Sequence, residues 1–166
     1  MGRCATPPPA PTSNPKGHSE MNTLIGMLNR LQPLELQFHI KIENPPYMPL
    51  TIEGIGTGPR NLPAVSVTHY GEQNGDLMRD PEMCFEMEIQ NGQTVALMPY
   101  YYRNDYMGIE EQSVSEGQRS QDGKQSIRVN LKQIRQHGTF ARAWDRNLKR
   151  QGFEAALQRT LETTAG

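Results

Sequence analysis

The chain is short of several things at once. It has 2 cysteines in 166 residues, a single tryptophan, and aromatic residues at only 7% of the total. Cys4 and Cys84 stand far apart, and neither has a Cys or His neighbour at zinc-ligand spacing. That excludes a disulfide framework and a zinc knuckle, and a reduced, cytoplasmic setting is expected. No apolar run approaches the ~20 residues that cross a bilayer. The first twenty residues, MGRCATPPPAPTSNPKGHSE, lack the apolar segment of a secretory signal, and no membrane partner is expected. The net charge of -1 excludes a uniformly basic or acidic protein.

What the chain does have is proline, glycine and segregated charge. Its 13 prolines and 15 glycines beside 35% apolar residues predict a small core with many turns. Between Glu72 and Glu116 ten acids face two bases, Arg79 and Arg103. Between Arg128 and Arg159 the balance reverses, with eight bases against Asp145 and Glu154. Two such regions attract one another within a fold, or offer two surfaces to different partners.

Residues 1–18 read as a disordered proline-rich tail, with Met21 as an alternative start, and residues 19–163 as one domain. Ser19 is a candidate cap for a helix to Leu31 that carries Met21, Leu24, Ile25, Leu28 and Leu31 on one stripe. Strand signals follow. Leu36, Phe38, Ile40 and Ile42 alternate with polar residues, and further strands are expected at about 50–55, 64–70, 83–89, 94–100 and 107–114. In the 83–89 strand, Met83, Phe85, Met87 and Ile89 point one way and Cys84, Glu86 and Glu88 the other. GIGTGPRN (54–61) and SEGQRSQDGKQ (115–125) read as flexible loops. Asn91-Gly92 predicts a type I′ turn. From an Asn130 cap, one amphipathic helix runs to Gly152 with its weak point at Gly138, and a short last helix follows. The sum is an α+β fold: an antiparallel sheet of five or six strands with an N-terminal and a C-terminal helix packed on it.

Three places could carry function. The run HYGEQNGDLMRDPE (69–82) reads as a polar loop between strands. Its His69, Glu72, Asn74, Asp76, Arg79 and Asp80, with Tyr102, Arg103 and Tyr106 of the tyrosine segment, are candidates for contacting a protein partner. Lys132, Arg135, Arg142, Arg146, Lys149 and Arg150 share one helix face and suit the phosphates of a nucleic acid. His69, Glu72, Asp76, Asp80 and Glu82 could alternatively serve a metal-dependent hydrolase or nuclease. The calcium-loop register fails there, however: with Gly75 in the sixth position, Tyr70 and Pro81 fall where oxygen ligands are needed. No catalytic residue, metal or cofactor is assigned.

NPPYMPL (44–50), HYGEQNGDLMRDPEMCFEM (69–87) and YRNDYMG (102–108) together resemble an uncharacterised bacterial domain family. The resemblance covers about residues 36–115 and implies a protein of plasmids or other mobile elements, without an established activity. The expectation is therefore a non-enzymatic interaction or accessory protein that binds a protein partner through the 69–82 loop and the Tyr-rich 100–106 segment, with nucleic-acid binding by the basic helix and a metal-dependent hydrolase or nuclease as the alternatives.

Overall fold

The computed structural model describes residues 21–31 and 37–165. The expected N-terminal tail, Ser19 and Leu36 lie outside them. The elements run α1 (Asn22–Arg30), β1 (His39–Asn44), β2 (Tyr47–Thr57), β3 (Pro63–Gln73), β4 (Asp76–Gln90), β5 (Gln93–Asn104), β6 (Ile109–Gln112), β7 (Val114–Arg119), β8 (Gln125–Val129), α2 (Leu131–Gln151) and α3 (Phe153–Thr164). The expected α+β class holds. Strands β1 to β6 form an antiparallel meander in chain order, and β7 and β8 form a separate two-stranded ribbon.

All three helices cover one face of the meander. Met21, Leu24, Met27 and Leu28 of the first helical segment, Ala141, Trp144 and Leu148 of α2, and Phe153, Ala156 and Leu157 of α3 meet Ile42, Leu50, Ile52, Val65, Val67, Met83, Phe85, Met87 and Leu97 of the strands. Alternation places these strand residues on one side of the pleat, so burying them fixes the register. A smaller cluster of Ala64, Cys84, Tyr100 and Val114 lies apart, with Ile134 packed on it.

Two-residue turns set the hairpins. Asn74-Gly75 and Asn91-Gly92 both take positive φ at both positions (53° and 85°; 52° and 74°), the conformation that a type I′ turn demands. Their closing pairs are Gln73–Asp76 and Gln90–Gln93. Asn130 caps α2 by accepting from the Gln133 amide, and Gly152 ends it with φ 80°.

Several expectations need correction. Residues 71–82 are not a loop: β3 and β4 continue as a ladder to the Asn74-Gly75 turn, interrupted by one register shift between Thr68 and Tyr70. Residues 115–125 are not a loop either, since most of them belong to β7 and β8. The strand expected at 107–114 is split between β6 and β7. Residues 54–57 belong to β2, and the turn after them is held firmly. Glu86, expected on the wet side of its strand, is 0% exposed. Its carboxylate accepts from the Arg60 and Leu62 amides and from the Arg60 guanidinium, at 3.0, 3.3 and 3.0 Å.

Among the described residues, no side chain next to α1 in the chain caps its start. Its Thr23 and Leu24 amides donate instead to the carboxylate of Asp145 in α2, at 3.2 and 2.8 Å. A carboxylate at a helix N-terminus meets unsatisfied amides and the positive end of the helix dipole, and this one is buried.

Candidate functional site

The nine residues expected to contact a partner divide into three groups. His69 and Tyr102 face the helices. The His69 ring lies 5.5 Å from both Trp144 and Phe153, and its Nδ1 is 3.1 Å from the Pro49 carbonyl. Burial pulls the imidazole below its usual pKa. Tyr102 stacks edge-on against Phe140 at 5.1 Å and lies 5.9 Å from His137. His69 is buried there, and Tyr102 is half-buried against the core.

Arg79, Asp80 and Arg103 form the second group, bound into a network between two hairpins. The Arg79 amide donates to Asp105 at 2.8 Å, and the Asp105 amide donates back to the Arg79 carbonyl at 2.9 Å. Arg103 Nε donates to the same carboxylate at 2.7 Å. The Arg79 amide, with the Arg103 guanidinium, holds the Asp105 carboxyl below its usual pKa. Arg79 Nε lies 2.9 Å from Glu82, an ion-pair distance, but out of line for a hydrogen bond. Glu82 also accepts from Ser66 at 2.8 Å, and Asp80 from the Asn104 amide at 2.8 Å.

Glu72, Asn74, Asp76 and Tyr106 are the exposed remainder. The Tyr106 ring closes over Gly71, so close that a Cβ there would sit 2.6 Å from the tyrosine hydroxyl. The two segments singled out in the sequence therefore do meet. Leu77 in β4 and Met107 in the turn before β6 stand 69% and 66% exposed.

The residues of the hydrolase alternative do not converge. His69 lies under the helices, Glu72 and Asp76 occupy the hairpin tip, and Asp80 and Glu82 are engaged as described. Among the described residues no three His, Cys, Asp or Glu side chains gather where they could hold a metal.

One constellation went unnoticed in the sequence. His137 of α2 is buried with Nδ1 3.1 Å from the Ser113 hydroxyl and Nε2 3.0 Å from Glu111. These are the residue types of a hydrolytic triad. Ser113, however, is 1% exposed, so no substrate reaches its hydroxyl. The arrangement pins the first turns of α2 to β6 and β7. The signal was available: His137 falls on the apolar phase of α2, between the positions of Trp144 and Leu148 around the helix. Cys84 is likewise buried, and burial pushes its thiol up to about 12.

The basic helix presents a different picture. Lys132, Arg135, Arg142, Arg146, Lys149 and Arg150 are all exposed. At 100° per residue they fall within an arc of about 100°, and at 1.5 Å per residue they span about 27 Å along the helix. Among the described residues none of the six has a carboxylate within 4.0 Å. The one acid of α2, Asp145, points inward to α1. The idea that this face neutralises the acidic strands finds no ion pair to support it.

The class is thus an α+β domain in which a six-stranded meander is backed by three helices, one of them with an outward basic ridge. No helix among the described residues is long and apolar enough to cross a membrane. The chain belongs to the DUF6908 family: the family model, described as a domain of unknown function, matches residues 20–154. The match reaches well beyond residues 36–115 and takes in α1 and all of α2. No curated protein and no solved structure matches the chain.

Proposed function

We propose that this protein is a non-enzymatic accessory protein that binds nucleic acid through the ridge on α2. The observation that carries the reading is the set of six exposed cations on one arc, without a carboxylate neighbour among the described residues. Such a row matches a phosphate backbone, and binding releases the counterions condensed there. A membrane surface is a poorer match. Amphipathic helices that lie in membranes bury their apolar face in lipid, whereas that of α2 is buried against the sheet. A cytoplasmic protein of a mobile genetic element, the setting suggested by the sequence resemblance, fits this reading.

The test is anisotropy with a labelled DNA duplex at several salt concentrations. If four to six phosphates are contacted, log K falls with log salt at a slope of about −4 to −5. Arg142→Glu with Arg146→Glu removes most of the binding and flattens the slope by about 2. Affinity indifferent to salt, or equal binding by the double variant, would refute the reading.

A second surface is favoured by the apolar exposure on the hairpins. Tyr106 and Met107, next to the β3–β4 hairpin that carries Glu72, Asn74, Asp76 and exposed Leu77, suit a protein partner, since aromatic and methionine side chains are enriched at interfaces. Tandem pull-downs with wild type and with Tyr106→Ala combined with Leu77→Ser check it. The expected outcome is the loss of one specific band, and an identical partner profile counts against this surface.

A further inference from the structure

Among the described residues, the ribbon of β7 and β8 is anchored at its base. Ser113 and Val114 are buried, the Ser113 amide donates to the Tyr100 carbonyl at 2.9 Å, and the Asn130 amide donates to the Ser113 carbonyl at 2.8 Å. Beyond that base every residue from Gln118 to Lys132 is exposed. An isolated two-stranded hairpin is marginal in water, because it has no apolar face to bury. This one is held instead by its own polar contacts. Gln125 Nε2 donates to the Gly117 carbonyl at 2.6 Å, Ser126 to the Gln118 carbonyl at 2.8 Å, and Arg119 Nε to Gln125 at 3.3 Å. Gly117 permits the closeness of the strands, since a Cβ there would sit 2.4 Å from the Ser126 hydroxyl.

The ribbon from Val114 to Val129 has three bases, Arg119, Lys124 and Arg128, against two acids, exposed Glu116 and Asp122. Asp122 accepts from the Ser120 hydroxyl and the Lys124 amide, and its carboxylate lies 4.0 Å from the Lys124 ammonium. Its carboxyl is held below its usual pKa first by the Ser120 hydroxyl and then by that amide. The ribbon's bases therefore exceed its acids by one, and among the described residues Arg119 and Arg128 have no carboxylate within 4.0 Å. The arm is also continuous with the ridge. Asn130 alone separates β8 from α2, so Arg128 and Lys132 bring arm and ridge together at the joint. Ile127 and Val129 are 42% and 51% exposed on the outer strand.

We propose that the ribbon enters the major groove of the B-form DNA whose backbone α2 follows, so that arm and ridge hold one duplex. This rests on the nucleic-acid reading of α2. A major groove about 12 Å wide admits a two-stranded ribbon, whereas the deep, narrow groove of A-form RNA does not. Gln118 and Gln121 are amides on the arm able to meet base edges, and exposed Ile127 and Val129 suit thymine methyl groups. The arm's bases meet the phosphates on either side.

The experiment uses the full chain, a pool of mixed-sequence DNA duplexes of about 20 base pairs, and the same sequences as double-stranded RNA. Guanine N7, which lies in the major groove, is probed with dimethyl sulfate. Two variants are compared with wild type: residues 118–126 replaced by Asn-Gly, and the point variant Gln118→Ala, Arg119→Ala, Gln121→Ala, which leaves the ribbon's length intact. Wild type protects N7 and prefers DNA to RNA by at least about tenfold. Both variants lose the protection and the preference but keep salt-dependent binding through α2, with a slope shallower by about 1 to 2. Unprotected N7 in the wild-type complex, equal affinity for DNA and RNA, or wild-type behaviour of the point variant would overturn the ribbon proposal and leave the ridge reading standing. Absence of binding by wild type, or full binding by the Arg142→Glu, Arg146→Glu variant, would overturn the ridge reading itself.

Discussion

Asp145 is the side chain whose loss reports most directly on how this fold is held. Helix α1 has nine residues, too few to be stable alone in water, and among the described residues no side chain next to it in the chain caps its first turn. Asp145 supplies both missing acceptors from the neighbouring helix, at 2.8 and 3.2 Å. An exposed cap is worth about 1 kcal/mol. Here two amides at a buried helix start share one carboxylate. Bonds to charged groups contribute about 1.5–3 kcal/mol each, though the two share an acceptor and are not additive. Asp145→Ala should therefore cost about 3 kcal/mol. Asp145→Asn keeps one acceptor and the shape, and should cost about 1–2 kcal/mol. A domain of this size has about 5–15 kcal/mol in hand, and Tm falls about 2–4 °C for each kcal/mol lost. Urea unfolding gives the costs, and amide hydrogen exchange at Thr23 and Leu24 gives the place. The reasoning is refuted if Asp145→Ala unfolds within about 0.5 kcal/mol of wild type at unchanged m, or if the two amides stay protected.

Three further outcomes follow from other parts of the fold. Gly58→Ala places a Cβ 2.4 Å from Cγ of a Glu86 side chain that three hydrogen bonds hold still, and should cost about 1–3 kcal/mol in urea unfolding; Gly26→Ala, with nothing within 4 Å and a helix interior around it, should instead gain about 0.5–1 kcal/mol. His69 has a folded pKa depressed by burial, so its contribution is complete above its unfolded pKa of about 6.5 and is lost as pH falls through the folded value; the acid-side loss of Tm below about pH 6.5 should be smaller in His69→Gln than in wild type.

The elements that could be read in the sequence are those that pack. Met83, Phe85 and Met87 alternate because one side of β4 lies under helices, and Trp144 and Leu148 keep a helical period because α2 lies over the sheet. The β3–β4 arms beyond His69 and the β7–β8 ribbon project past the helix layer. With both faces wet, their sequence has no alternation to betray a strand, and polar residues were read as loop. The turn residues Asn74 and Gly75 were visible, but a turn signal does not tell how far the ladder extends behind it. Asp145 and Glu86 illustrate a different limit. Each looks like a surface acid from its own neighbourhood, and each is buried by a segment at least 24 residues away in the chain. The candidate sites followed the same rule. The basic face of α2 was legible from spacing alone. That His69 and Tyr102 belong to the core could come only from knowing which side of the sheet the helices take.

The near-zero net charge conceals where charge is satisfied. Much of the acidic middle is answered inside the fold: Glu82 by Ser66 and Arg79, Glu86 by Arg60 and two amides, Asp105 by Arg79 and Arg103, Glu110 by the Tyr101 hydroxyl, and Glu111 by His137. A carboxylate answered at 2.7–3.0 Å projects less field into solvent than an unpaired one. The bases of α2 have no such partners among the described residues, and the helix's own acid is turned inward to cap α1. One interaction thus serves two ends. Asp145 fastens α1 to α2, and in doing so it keeps the only negative charge of α2 off the surface that the six cations occupy. The charge segregation along the sequence becomes, in the folded chain, a contrast between acidic strands partly paired with Arg60, Arg79 and Arg103 and an open basic helix, and that contrast is why the ridge, rather than the acidic hairpins, is the stronger candidate for meeting a polyanion.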